Sequence, residues 1–134
     1  MPKAKAWRKH YAEAVKWFRK AADQGDADAQ VTLGSMYFYG QGVAKDEAEA
    51  VKWFRKAGEQ GDAMAQHNLG EVYANGEGVA KDETEAYKWF LLAGAQGNEH
   101  AKKNIKQIEG NLTPAQRTEG QKRAREFKPV KAAP

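Results

Sequence analysis

Residues 48–83, AEAVKWFRKAGEQGDAMAQHNLGEVYANGEGVAKDE, decide the fold, because residues 12–47 say nearly the same thing. Laid over each other without a gap, the two stretches agree at 26 of 36 positions. The ten differences are Ala22/Gly58, Asp23/Glu59, Asp28/Met64, Val31/His67, Thr32/Asn68, Ser35/Glu71, Met36/Val72, Phe38/Ala74, Tyr39/Asn75 and Gln41/Glu77. Seven of them lie between 28 and 39, and at about 100° per residue they fall on one side of a helix. Ala29, Gln30, Leu33, Gly34 and Tyr37, the same in both copies, fall on the other side. One face is held by packing and the other is free to differ, which is how a repeat scaffold presents a recognition surface.

Each unit reads as two helices. The leading helix opens at Asp26 (Asp62 in the second copy), whose carboxylate can accept from free N–H groups of the first turn. It runs through Ala29, Leu33 and Tyr37 and stops at Gly40 (Gly76), where a left-handed residue costs little. A Gly-x-Gly-Val loop follows. The trailing helix is capped by Asp46 with Glu49 three residues on, and by Asp82 with Glu85. Ala50, Trp53, Phe54 and Ala57 make its apolar face, repeated as Ala86, Trp89, Phe90 and Ala93 and, upstream, as Ala14, Trp17, Phe18 and Ala21. Gly61 and Gly97 end it. The period is helical throughout, with no strand-like alternation.

This pattern resembles the Sel-one-like repeats, relatives of the tetratricopeptide repeats. Their signature, A-x3-L-G-x2-Y-x2-G-x-G-V-x2-D-x3-A-x2-W-x3-A-x3-G, is met at Ala29, Leu33, Gly34, Tyr37, Gly40, Gly42, Val43, Asp46, Ala50, Trp53, Ala57 and Gly61. The next copy meets it at Ala65, Leu69, Gly70, Tyr73, Gly76, Gly78, Val79, Asp82, Ala86, Trp89, Ala93 and Gly97. The resemblance covers residues 11–110 and implies an all-α, right-handed α/α superhelical solenoid of antiparallel helix pairs. It also implies a scaffold for protein complexes, common in bacteria, with leading helices lining the concave side. Some cysteine-rich members act as weak β-lactamases. They rely on paired cysteines in each repeat and on export, neither of which this chain shows.

The array is therefore expected to be a single solenoid domain over 1–127, of about seven helices. Residues 6–25 form an unpaired N-terminal helix, 26–61 and 62–97 are full repeats, and 98–127 is a degenerate repeat with a capping helix. In that last repeat Ala101 and Ile105 hold core positions, but Lys106 replaces the Gly and Glu109 the Tyr. Thr113, Pro114 and Gln116 then start a final helix with a capping box. Leu91 and Leu92 stand where earlier copies carry Arg-Lys, so something must cover them; the last helix with Phe127 is the nearest candidate. Residues 128–134 read as a disordered basic tail. At the other end the array starts on a trailing helix, with Trp7 and Tyr11 extending it. The face of Trp17 offers an edge for self-association.

Composition bounds the function. With no cysteine, thiolate chemistry and disulfides are excluded. Residues 1–20 lack the apolar core of a signal peptide, and no run approaches the ~20 apolar residues of a membrane span. The chain reads as cytoplasmic, or periplasmic if a leader has been removed. Its net charge of +4 is split: +6 over residues 1–22, −6 over 23–111 and +4 over 112–134. An acidic array between basic ends argues against a nucleic-acid binder, which carries a continuous basic stripe. His10, His67 and His100 match no metal-ligand spacing, Ser35 is the only serine, and the Gly-x-Gly loops follow helices rather than strands. No catalytic, cofactor or metal site is expected.

What remains is the variable face. Solvent-facing positions drift when nothing holds them, but Val31, Phe38, Tyr39 and Met64 are apolar where solubility favours charge. Met36 and Val72, apolar in both copies, belong to the core. The expected protein-binding residues are Asp28, Val31, Thr32, Ser35, Phe38 and Tyr39 on the first leading helix. Met64, His67, Asn68, Glu71, Ala74 and Asn75 follow on the second, and His100, Lys103 and Gln107 on the third. The ligand these imply is a protein or peptide with an apolar anchor near Phe38 and acidic groups towards the basic third helix.

Overall fold

The computed structural model describes residues 2–131, with the side chains of residue 6 and of 8–131. Seven helices follow one another among the described residues: α1 (Pro2–Asp23), α2 (Ala27–Tyr39), α3 (Glu47–Glu59), α4 (Ala63–Asn75), α5 (Glu83–Ala95), α6 (Glu99–Glu109) and α7 (Pro114–Glu126). Helices α2, α4 and α6 are leading helices; α1, α3 and α5 are trailing ones. From α1 to α6 neighbours in sequence pack on each other, and α7 skips back to lie on α5.

The caps explain the sharp corners. Asp62 closes α3 and opens α4: its N–H donates to Ala57 O (3.1 Å), and its carboxylate accepts from Ala65 N (2.9 Å). Between them Gly61 turns at φ 100°, a left-handed value that favours glycine. Asp26, Asp46, Asp82, Asn98 and Thr113 cap their helices in the same way, and Gln116 completes the box at Thr113. Helix α1 has no such start. Where α3 and α5 have Asp46 and Asp82, it has His10, and it runs on as helix back to Pro2, longer than the expected 6–25.

The core runs through the array in two clusters, one around Val15, Leu33 and Met36, the other around Phe54, Leu69, Val72, Tyr87, Trp89 and Phe90. Met36 and Val72 are buried at 5% and 2%, as their shared apolar character implies. Helices α4 and α5 approach so closely that a Cβ on Gly70 would sit 2.4 Å from the Phe90 ring. A polar ladder ties repeats together. Gln30 and Gln66, both buried, donate to Ala22 O and Gly58 O and accept from Gln60 and Gln96. Buried amides satisfied on both sides fix the register of one repeat on the next.

The last repeat departs in a coupled way. In the first two units Arg19 donates to the Tyr37 hydroxyl and Arg55 to that of Tyr73. In the third, both partners change together, to Leu91 and Glu109. Glu109 instead accepts from the Tyr87 hydroxyl at 2.7 Å; Leu91 and Leu92 are partly buried against the core, α7 packs on α5, and Phe127 stands edge-on to Trp89 at 5.7 Å. Residues 128–131 are placed rather than loose, since Val130 N–H donates to Glu59 O at 2.8 Å. Residues 132–134 lie outside the described residues, as does the Trp7 side chain expected to shield the N-terminal face. Trp17 there is 71% exposed.

Candidate functional site

On the leading-helix side, α4 and α6 are in contact. Two hollows open along it. The first, about 90 Å³ between α2 and α4, is lined by Ser35, Phe38, Tyr39, Phe54, Asn68, Glu71, Val72 and Glu77. The second, about 550 Å³ between α4 and α6, is lined by His67, Glu71, Ala74, Asn75, Lys81, Glu83, Phe90, His100, Lys103, Asn104, Gln107, Ile108 and Asn111.

Eleven of the fifteen residues marked from sequence line one hollow or the other, and Glu71 lines both. Asp28, Val31, Thr32 and Met64 line neither, and the Thr32 hydroxyl is spent on Asp28 O at 3.0 Å. Tyr39 and Met64 stand exposed, at 69% and 50%. His67, read as a polar contact for a partner, is instead buried at 8%. The sequence missed Asn104, the loop residue Lys81 and Glu83 at the start of α5. Asn104 was within reach, since it sits 36 residues after Asn68, but the loop approaches only once the helices pack.

His67 organises the inner wall of the second hollow. Its Nε2 lies 2.8 Å from Glu71 Oε1, and the Asn104 side-chain amide is 3.2 Å from the same nitrogen. Its Nδ1 is buried without a partner. The His67 ring faces those of His100 at 5.8 Å and Phe90 at 6.1 Å. The hydrogen bond from His67 holds the Glu71 carboxyl below its ordinary value of 4.5. Partial burial opposes this, and the charges of His67 and His100 reinforce it. Lys81 reaches Glu83 only at 3.9 Å. Such a lining of amides, rings and charged rims offers hydrogen bonds and apolar contact, and no group of three or more metal-ligating side chains occurs among the described residues. No described helix is long and apolar enough to cross a membrane.

A family profile described as Sel1 repeat matches residues 9–26, 27–62 and 63–98, well over half of the chain. The chain belongs to the Sel1-repeat family. Solved structures agree. The chain is similar to c5321, described as a protective antigen of uropathogenic Escherichia coli strains with an SLR fold. Identity is 39% and the TM-score 0.87, over 90% of this chain and 26% of that one. It is also similar to a Sel1 repeat protein from Oxalobacter formigenes, at 41% identity and a TM-score of 0.68, over 70% of this chain and 39% of that one. The chain thus spans about a quarter and about two fifths of these relatives. A comparison with curated protein sequences gives no significant match. The Sel1 family is in general one of protein-interaction scaffolds, and this chain shares its all-α helical solenoid.

Proposed function

We propose that this Sel1-repeat chain is a non-enzymatic scaffold that binds a protein or peptide along the face of α2, α4 and α6, centred on the α4–α6 cleft. One observation carries the reading. Seven of the ten positions that differ between otherwise matching repeats line a hollow in at least one copy, so most of the variation shapes a surface instead of scattering over it. The apolar contacts come from Phe38 and Tyr39, and the basic character from His100 and Lys103 at the far end. A β-lactam-hydrolysing enzyme has less to rest on, since Ser35, the only serine, lies in the small hollow and carries no histidine contact among the described bonds.

Affinity capture from the native host lysate tests the reading, comparing wild type with Tyr39→Glu/Lys103→Glu. Both side chains are exposed, so the variant keeps the fold, as circular dichroism will verify. A protein retained by wild type and lost by the variant is the expected outcome. Equal retention moves the site off this face. The exposed Trp17 supports a second, independent reading, assembly of copies through the N-terminal edge, for which solution mass should rise with concentration.

A further inference from the structure

The two hollows are one hollow met twice. Shifted by 36 residues, seven of the eight positions lining the α2–α4 hollow land on residues lining the α4–α6 cleft. The floor repeats: Phe54 becomes Phe90 and Val72 becomes Ile108, all four buried. Asn68 becomes Asn104 on the wall. The rim changes, with Ser35 becoming Glu71 and Glu71 becoming Gln107, and so does the plug, for Phe38 becomes Ala74 and Tyr39 becomes Asn75.

In the first repeat Phe38 packs against the core, edge-on to Tyr39 at 5.1 Å, and only about 90 Å³ is left. In the second the plug is gone and about 550 Å³ stands open. The helices end alike, Gly40 at φ 70° and ψ 43° and Gly76 at φ 69° and ψ 44°. Side-chain truncation empties the seat, and α6, 11 residues against 13 for α4, leaves its lip open.

We infer that the α4–α6 cleft is a seat for a Phe or Tyr side chain of a peptide partner, entering where the chain's own Phe38 sits one repeat earlier. The inference rests on the scaffold reading above and names what that face selects. A ring in the cleft would lie over Phe90 and Ile108 and beside the His67 and His100 rings, gaining apolar burial and ring-edge contact together. The partner's main chain would pass Asn104 and Gln107, whose carboxamides match a peptide group in donor and acceptor.

The test titrates the isotope-labelled full chain with N-acetyl-L-phenylalaninamide, against N-acetyl-L-alaninamide, and follows backbone amide shifts by NMR. The aromatic probe should give saturable shifts at residues 71–75 and 104–108, and the alanine probe none. Ala74→Phe/Asn75→Tyr restores the plug of the first repeat and should weaken binding at least about tenfold. Phe38→Ala/Tyr39→Asn should open a second seat, adding saturable shifts at residues 35–39 and 68–72; it keeps the test decisive if the filled variant misfolds. Equal shifts with both probes, or shifts elsewhere, would overturn the seat. A probe that fails to bind while capture is still lost on Tyr39→Glu/Lys103→Glu sinks the aromatic seat and leaves the scaffold reading standing. Saturable probe binding with capture unaffected keeps the seat and sinks that reading.

Discussion

Glu71 and His67 hold the inner wall of the cleft through a contact that depends on charge. The contact lowers the carboxyl's folded value below the ordinary 4.5. Protons therefore bind the unfolded chain more readily than the folded one as pH falls from neutral, and the contact contributes stability above pH 4.5. That contribution fades as pH drops through the lowered folded value. Urea unfolding of wild type and Glu71→Gln should show wild type ahead at neutral pH, with the gap closing as pH falls below 4.5. A gap that stays constant over the whole range would remove Glu71 ionisation from the account.

At the scale of the element, the helix ends carry more of the specification than the helix interiors. Helices α2 and α4 differ at seven positions and still share caps, lengths and end geometry. Asp62, like Asp26 and Asn98, does two jobs, terminating α3 with its backbone and starting α4 with its side chain. Only the second task needs the carboxylate. Asp62→Ala should cost about 1 kcal/mol in denaturant unfolding, while Asp62→Asn, which keeps an accepting oxygen, should sit close to wild type. Equal losses in both would mean that the carboxylate acts through its charge on the helix dipole rather than as an acceptor.

The whole molecule depends on α7. It is a polar helix with one buried residue, Gly120, against which the Tyr87 ring lies so close that a Cβ would meet it at 2.6 Å. Around that contact Arg123 pairs with Glu85 at 2.8 Å, and Phe127 covers Trp89. The cap is a few contacts deep, so losing one should loosen all of it. Phe127→Ala should destabilise by about 2 kcal/mol, less than a fully buried Phe because Phe127 is half-buried. Trp89 fluorescence should shift to the red, and proteolysis should begin within α7. Cleavage first at the α1 end would show that α7 is not the weak element.

Local chemistry decided much of this protein before any tertiary contact formed. A 36-residue period, Asp caps three residues ahead of the N–H groups that donate to them, left-handed glycines and apolar residues at helical spacing each act over a few residues, so the sequence alone determined seven helices, the solenoid and the side that varies. Even the packing of the last helix on α5, which carries Leu91 and Leu92, followed from an apolar pair with no other mate. Tertiary packing alone decided that His67 turns inward onto Glu71 and Asn104, and that residues 128–131 lie against α3. It decided too that the Phe38/Ala74 difference empties a cleft. Each of these depends on how far apart two helices one repeat distant come to rest, and that distance is set by all the side chains between them at once.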